Sequence, residues 1–230
     1  MKTLGLLGGM SWESTVPYYR VINQTVAREL GGLHSAKILL LSVDFHEIEI
    51  LQRAGDWDRA GEVLADAARR LEAAGADLLV ICTNTMHRVA PAVEQAIRIP
   101  LLHIADPTAD EIERAGLRTV GFLGTRFSME QTFYRERLEA RGLKVLVPEA
   151  DDRETVHRII YDELCRRKID SASRSAYEAI MRRLVDRGAE GIILGCTEIG
   201  LLVGPENASV PLFDTTEIHA RTAALRAVTL

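Results

Sequence analysis

The residues best suited to chemistry in this sequence are three cysteines, Cys82, Cys165 and Cys196. Three thiols cannot form a disulfide framework, and none belongs to a C-x-x-C pair, so a structural zinc site is not expected. A thiolate is a useful base, and its pKa falls at the N-terminus of a helix. Cys196 follows Gly195 and is predicted to occupy such a position, although a buried structural cysteine is the common alternative.

A second group of polar side chains follows a strand-length apolar run: Cys82-Thr83-Asn84-Thr85-Met86-His87. Asn84 and Thr85 could cap a helix, as such residues do in many proteins without an active site. Thr83 could be a cap, a substrate ligand or a proton carrier, and a structural His87 is as probable as a catalytic one. Because strand neighbours point to opposite faces, Cys82 and Thr83 should not both face one site, and Cys82 is predicted to lie in the core.

The first apolar run of the chain ends in Gly8-Gly9-Met10-Ser11. This segment lacks the lysine of a P-loop and the third glycine of a G-x-G-x-x-G motif, which disfavours nucleotide binding. A tight strand-to-helix turn is the preferred interpretation. Its backbone N–H groups could still bind a carboxylate.

The elements that must position these residues form an internal repeat. Three pairs of similar segments occur in the same order: Lys2–Gly8 with Arg118–Gly124, Gly75–Thr83 with Gly188–Cys196, and Ile99–Leu102 with Val210–Phe213. Aligning the second pair places Thr83 opposite Cys196. The predicted strands are at about 2–7, 36–43, 77–82 and 100–103, then at 118–123, 144–147, 190–195 and 211–213, with helices between them.

Apolar strands alternating with helices predict parallel sheets that are covered on both faces. We therefore predict an α/β protein of two similar doubly wound lobes, residues 1–115 and 116–230, related by a pseudo-twofold. The terminal helix, 216–228, can pack back on the first lobe. Because ligands bind beyond the carboxyl ends of parallel strands, Thr83 and Cys196 are expected on opposite walls of a cleft between the lobes.

Composition narrows the possible functions. A hydrophobic fraction of 47% and a charged fraction of 27% exclude a mainly disordered chain. The net charge of -5, without a basic run, argues against nucleic-acid binding. The apolar runs are too short to span a membrane, and no signal sequence is recognisable, so a cytoplasmic protein is expected.

Taken together, these motifs resemble the aspartate/glutamate racemase superfamily, whose members need neither pyridoxal phosphate nor a metal. The resemblance covers essentially the whole chain and rests on Gly8–Thr15, Cys82–His87 and Gly195–Glu198. It implies a homodimeric amino-acid racemase with no cofactor, in which each lobe supplies one acid/base residue. The chain is most similar to the branch with a Thr/Cys pair, which includes L-aspartate/glutamate-specific and broad-specificity amino-acid racemases.

The resemblance also implies the roles of individual residues. The catalytic pair would be Thr83 and Cys196. Substrate-binding residues would be Met10, Gln52, Asn84, Thr85, Thr125, Thr197 and Glu198. Further candidates are Ser11, Cys82, His87 and Cys165, and no metal ligand is predicted. The expected partner is a small amino acid, with no nucleic acid and no membrane.

Two departures from the family pattern affect these expectations. Most members carry cysteine at the position of Thr83, and threonine is a much weaker acid. Cys196 is therefore expected to abstract the proton while Thr83 supplies or relays one, which makes the two directions unequal in rate. Aspartate-selective relatives resemble one another in an arginine near 44–50 and a lysine near Cys165, where this chain has Asp44, Glu47 and Glu49 in the first segment and Cys165 in the second. Arg166 or Arg126 could take over the contact to a distal carboxylate. Aspartate/glutamate and broad specificity both stay open.

Other activities on the same scaffold stay open as well. Hydantoin racemases, arylmalonate decarboxylases and maleate isomerases resemble this family and also use one or two cysteines. A relative that binds amino acids without turnover is the alternative from a different class.

Overall fold

The computed structural model describes residues 1–229, which divide into two compact units. The first unit comprises Met1–Ile104 together with the residues from His219 on, and the second is Ala105–Ile218. Each unit contains one sheet of four strands. The chain passes into the second unit one helix before the boundary at 115/116 that the sequence suggested.

The first unit alternates strands and helices in the predicted order. Its elements are β1 (Thr3–Gly8), α1 (Trp12–Leu30), β2 (Lys37–Ser42), α2 (Phe45–Ala54), α3 (Trp57–Ala73), β3 (Leu78–Ile81), a 3-10 helix (Thr85–Val89), α4 (Ala90–Ala96) and β4 (Leu101–Leu102). The carboxylates of Asp44 and Asp56 accept backbone N–H groups at the starts of α2 and α3, as helix N-caps do.

The second unit repeats the scheme with more interruptions. It contains α5 (Ala105–Arg114), β5 (Thr119–Gly124), α6 (Arg126–Glu130), α7 (Thr132–Glu139), β6 (Lys144–Leu146), α8 (Ala150–Asp162), a 3-10 helix (Leu164–Arg166), α9 (Ser171–Asp186), β7 (Gly191–Gly195), two 3-10 helices (Ile199–Leu201, Pro205–Asn207), β8 (Leu212–Asp214) and the start of α10 (Thr215–Val228). The helical segment between β5 and β6 is interrupted, because Gln131 is extended between α6 and α7.

All strand pairs are parallel, and the two sheets have the same order, β2-β1-β3-β4 and β6-β5-β7-β8. Two four-stranded parallel sheets flanked by helices confirm the predicted α/β fold class. Strands β3 and β7 occupy equivalent places, since each lies between the first strand of its unit and the last. Whatever follows β3 and β7 therefore leaves its sheet at the same point.

Both faces of the first sheet are covered by helices. Leu7, Leu79 and Ile81 pack with α3 and α4 in one core cluster. Leu6 and Val80 point the opposite way and pack with buried residues of α1 and α10. Alternate residues of one strand thus enter different cores, which is why these strands are apolar along their whole length.

Helix α5 belongs to the second unit, where it packs on α7 and also forms ion pairs with arginines at and after α7. Arg137 contacts Asp106 at 2.6 Å, and Arg141 contacts Asp110 at 2.7 Å and Glu113 at 2.8 Å. These pairs are partly exposed, so each stabilises the contact only modestly. The internal repeat, from which the boundary was predicted, contains no information about such contacts.

The last turns of α10 pack in the first unit through small residues. Ala220, Ala223, Ala224 and Ala227 are at most 1% exposed and join the core cluster formed with α1. The N–H of Lys2, before β1, donates to the carbonyl of Ala227 at 2.8 Å. Among the described residues, no helix is long and apolar enough to cross a membrane.

His219, on α10, makes two buried hydrogen bonds. Its Nε2–H donates to the carbonyl of Leu102 at 2.8 Å, and its Nδ1 accepts from the Tyr18 hydroxyl at 2.7 Å. A carbonyl can only accept, so this arrangement fixes the neutral tautomer. Burial, with a smaller contribution from His87, lowers the pKa of His219 to about 3.

We expect His219 to make the protein sensitive to acid. The folded-state pKa of His219 lies below the ordinary value, so at pH values between the two the unfolded chain binds a proton that the folded chain does not bind. The contribution of His219 to the free energy of unfolding should be constant above pH ~6.5. Between that pH and the folded-state pKa, it should fall by about 1.4 kcal/mol for each pH unit of acidification. Urea unfolding of the wild type and of His219→Gln across this range measures the difference.

The exposed His34 provides the matched control, since His34→Gln should leave the slope of the wild type unchanged. A His219→Gln protein with the same acid slope as the wild type would contradict the assignment of a neutral buried imidazole.

Candidate active site

Thr83 and Cys196 lie at equivalent positions, each just beyond the carboxyl end of a central strand. Thr83 follows β3 after one intervening residue, and Cys196 directly follows β7. Each side chain is almost buried, with 9% of the residue exposed. Each unit therefore presents one group capable of proton transfer at the point of its sheet where ligands bind in parallel α/β folds.

The backbone of Thr83 is held by local hydrogen bonds. Its N–H donates to the carbonyl of Ile81 at 2.9 Å, and its own carbonyl accepts from Nδ1 of His87 at 2.8 Å. Asn84 and Thr85 follow at the start of the 3-10 helix and are buried, but the Asn84 side chain makes no capping hydrogen bond. The N-cap interpretation of Asn84 is therefore wrong.

Cys82 does not share the surroundings of Thr83. Its side chain is fully buried in the core cluster with α1 and α10, and its Sγ lies 3.8 Å from the carbonyl of Val80. Burial raises the pKa of this thiol well above its ordinary range. The core position predicted from strand alternation is confirmed, and the thiol is not available for proton transfer.

Gln52 and Met86 meet in the first unit although they are distant in sequence. The amide Nε2 of Gln52 lies 3.0 Å from the sulfur of Met86. Gln52 is 4% exposed, and its Oε1 is buried with no hydrogen-bond partner among residues 1–229. An unpartnered buried oxygen is costly in a folded protein, so this acceptor is suited to a ligand donor.

The turn after β1 is built for close packing. Gly9 has a φ of 92°, and its N–H donates to the Thr15 hydroxyl at 2.9 Å. A side chain at Gly9 would collide with the backbone of Val43. The N–H of Gly9 is therefore engaged within the turn, and binding of a carboxylate by the other N–H groups of the turn stays a prediction. Met10 and Ser11 are 4% and 8% exposed.

In the second unit, two thiols lie against one carboxylate. The Sγ of Cys196 donates to Oε2 of Glu198 at 3.0 Å, and the Sγ of Cys165 lies 3.8 Å from Oε1 of the same side chain. Glu198 is 4% exposed. The sequence pointed to each of these residues separately, and the structure places them in one cluster.

The electrostatics of this cluster keep the thiol of Cys196 protonated. Burial raises its pKa well above the ordinary value, and the negative charge of Glu198 raises it further. The expected thiolate at a helix N-terminus is wrong, because only a three-residue 3-10 helix, Ile199–Leu201, follows. Burial and Glu198 also raise the pKa of Cys165.

Tyr177 is a buried residue of the second unit that the sequence did not indicate. Its hydroxyl donates to the carbonyl of Val156 at 3.3 Å, and burial raises its pKa well above the ordinary value. Tyr177 lies at an apolar position of α9, where an aromatic residue is typical of a core. No sequence signal separates it from such a residue.

Thr125 and Thr197 differ in their surroundings. Thr125 is the N-cap of α6, since its hydroxyl accepts the N–H of Ser128 at 3.3 Å and lies 3.1 Å from the Ser128 hydroxyl. Thr197, between Cys196 and Glu198, is half-buried. A hydroxyl engaged in a cap can still donate or accept one further hydrogen bond.

The chemistry available here is proton transfer. A thiol that donates to a carboxylate can release its proton to that carboxylate and act as a base. No group of three or more His, Cys, Asp or Glu side chains within residues 1–229 is arranged to hold a metal ion.

Known proteins share both the sequence pattern and the fold. A sequence profile described as Asp/Glu/Hydantoin racemase matches residues 7–223. The crystal structure of a candidate Asp/Glu racemase from Yersinia pestis has 58% sequence identity and a TM-score of 0.94, with all of both chains covered. An aspartate racemase homologue from Pyrococcus horikoshii has 34% identity and a TM-score of 0.86, again over both whole chains.

A relative with lower sequence identity than these two structures is named for an activity. The broad specificity amino-acid racemase RacX of Bacillus subtilis is 22% identical over 95% of each chain. These similarities confirm the predicted superfamily and the predicted isomerase class. With nearly its whole length matched, the chain belongs to the Asp/Glu/Hydantoin racemase family.

Proposed function

We propose that this protein is a cofactor-independent amino-acid racemase that inverts the α-carbon by two-base proton transfer. The observation that carries the proposal is the buried thiol of Cys196, 3.0 Å from a carboxylate at the carboxyl end of β7, in a chain of this family. Substrates would be aspartate and glutamate or a broader set of amino acids. The names of the Yersinia, Pyrococcus and Bacillus relatives support this range.

In the proposed reaction, Cys196 removes the α-proton. Its thiol first passes its own proton to Glu198, and the resulting thiolate takes the proton from carbon. A low-dielectric site makes this internal transfer more favourable than loss of the thiol proton to water, because no net charge is created. Glu198, which the sequence suggested as a substrate ligand, is thus assigned as the proton acceptor of Cys196.

Thr83 is proposed to supply or relay the proton on the opposite face, with its hydroxyl taking a proton from solvent as it gives one to carbon. The proposal requires Thr83 and Cys196 to reach the two faces of one planar carbanion. A threonine hydroxyl is too weak an acid to exist as a free base near neutral pH. Abstraction by Cys196 should therefore be the faster direction.

The remaining polar groups are proposed to bind the amino acid and its developing negative charge. The unpartnered Oε1 of Gln52 suits the substrate ammonium group. The residues proposed to contact the substrate, carried over from the family resemblance, are Met10, Asn84, Thr85, Thr125 and Thr197. Ser11 and Cys165 are further candidates.

Broad specificity is supported by the residues of two segments. Asp44 caps α2, and Glu49 pairs with Arg53 at 2.6 Å, so the first segment offers no free cation to a distal carboxylate. In the second segment Cys165 stands where the resemblance implies a lysine, and Arg166 beside it is a cation that could bind a distal carboxylate. Uncharged polar substrates such as homoserine should therefore be accepted together with aspartate and glutamate.

The proposal is tested by incorporation of solvent deuterium at the α-carbon, followed by NMR, for both enantiomers of aspartate, glutamate and homoserine. Exchange with inversion supports racemisation. Tight binding without exchange would indicate an amino-acid-binding protein, and turnover of hydantoins, malonates or maleate would indicate another activity of the scaffold.

Variants of the two proposed acid/base residues should fail in different ways. Cys196→Ala removes the base, so exchange and inversion should both fall by about 10³-fold or more. Thr83→Ala keeps that base, so one enantiomer should still exchange its α-proton but return with its configuration retained. Chiral analysis combined with deuterium NMR measures both quantities. Equal turnover of the two enantiomers by Thr83→Ala would contradict the assignment.

Glu198→Gln should lower kcat by about 10²-fold or more while KM changes little, because glutamine cannot accept the thiol proton. Initial rates of exchange measure this effect. Glu163→Gln is the matched control, since Glu163 is also a buried glutamate of the second unit, 8% exposed, but accepts from the Ser173 hydroxyl at 2.6 Å rather than from a thiol. A Glu198→Gln protein as active as Glu163→Gln would exclude the role of Glu198 as proton acceptor.

We also propose a cytoplasmic homodimer. The three cysteines are free thiols, as is usual for cytoplasmic proteins. Helix α1 exposes Trp12, Val16 and Tyr19, which are 58%, 48% and 56% exposed and lie at helical spacing. Contiguous exposed apolar surface is typical of protein–protein contacts. This stripe is the proposed contact between copies.

Val16→Asp should convert the dimer to a monomer, because two charges would face each other across a two-fold contact. Sedimentation velocity measures the change. Ile169→Asp, which alters an exposed apolar residue of the second unit, should leave the dimer intact. A monomeric wild type, or a dimeric Val16→Asp protein, would contradict this contact.

A further inference from the structure

His87 connects the residues that follow β3 with the residues that follow β4. The pairing of β3 with β4 ends at Val80 and Leu102, so beyond these residues the two segments are not joined to each other by ladder hydrogen bonds. The Nδ1 of His87 lies 2.8 Å from the carbonyl of Thr83, and its Nε2 lies 3.1 Å from the N–H of Ile104. One side chain therefore joins the ends of two neighbouring strands.

The donor and acceptor types fix the protonation state of this bridge. The N–H of Ile104 can only donate, so Nε2 of His87 accepts and carries no proton. The carbonyl of Thr83 can only accept, so Nδ1–H donates to it. Protonation at Nε2 would set two donors against each other, and the bridge therefore requires the neutral imidazole.

Tight packing leaves the ring of His87 a single orientation. His87 is 1% exposed, with the ring of His103 at 4.6 Å and the ring of His219 at 5.7 Å between centroids. The backbone N–H of His87 itself donates to the carbonyl of Asn84 at 3.1 Å. Backbone and side chain of His87 thus hold the short turn that contains Thr83 from its C-terminal side.

We propose that His87 is a positioning residue for Thr83, which fixes the direction of the Thr83 hydroxyl through the Thr83 carbonyl. This inference rests on the proposed function, since it gives Thr83 one half of the proton transfer. Misplacement of an acid/base group by about 1 Å can cost 10²-fold in rate. Loss of the bridge should therefore impair the step that needs Thr83 and spare the step that needs Cys196.

The test compares three substitutions that keep different parts of the bridge. His87→Leu removes both hydrogen bonds. His87→Asn can keep an N–H near the place of Nδ1 and so the bond to Thr83, whereas His87→Gln can keep an acceptor near the place of Nε2 and so the bond to Ile104. The readout is the rate of inversion relative to α-proton exchange for the enantiomer that Cys196 deprotonates.

We expect His87→Leu and His87→Gln to lower inversion relative to exchange by about 10-fold or more, with KM changed by less than about threefold, and His87→Asn to restore most of it. In a Thr83→Ala background, His87→Leu should have no further effect on this ratio, because the group that it positions is gone. Tyr18→Phe, which loses a buried hydrogen bond of the same unit, controls for lower stability and should leave the ratio unchanged.

The possible failures are distinguishable. A wild type that exchanges no α-proton overturns the proposed function and this inference with it. A wild type that racemises, with a ratio lowered by Thr83→Ala but not by His87→Leu, overturns the inference alone. The same holds if Tyr18→Phe lowers the ratio as much as His87→Leu does, since the effect would then be one of stability.

Discussion

A buried thiol that shares its proton with a buried carboxylate is the interaction on which the proposed chemistry depends. Cys196 and Glu198 are 3.0 Å apart and are 9% and 4% exposed. Both burial and the charge of Glu198 raise the pKa of the Cys196 thiol, so the resting protein holds a thiol rather than a free thiolate. A weak acid held in this way becomes a strong base once its proton has moved to Glu198, and strength as a base is what removal of a proton from carbon requires.

The sheet explains why this pair can form where it does. Strand β7 is buried along its length and ends in Gly195, where an added side chain would collide with the ring of Phe122. Only a residue without a side chain fits between the strand end and that ring, and Cys196 is the first residue beyond the strand. Strand β3 ends differently, with Cys82 in the core and Thr83 one residue later. The same place in two similar sheets thus presents a thiol in one unit and a hydroxyl in the other.

The spacing of apolar residues and the internal repeat were sufficient to predict the sheets, the order of the elements and the ends of β3 and β7. They were sufficient because a strand that is buried on both faces must be apolar along its length. They could not predict features that depend on contacts between distant residues. The ion pairs of α5, such as Asp106 with Arg137, and the break between α6 and α7 at the extended backbone of Gln131 are features of this kind. The raised pKa of Cys196 required the position of Glu198, and the role of Thr125 as a cap required that of Ser128. The joint contact of Cys165 and Cys196 with one carboxylate is likewise visible only in three dimensions.

Direct titration of the Cys196 thiol tests the central claim. With Cys82 and Cys165 both replaced by alanine, Cys196 is the remaining thiol, and thiolate absorbance in the ultraviolet can be followed from neutral to alkaline pH. The account predicts a protonated thiol at neutral pH and a midpoint above the ordinary cysteine value of about 8.5. A thiolate already present at neutral pH would contradict it, because Glu198 would then have no proton to accept.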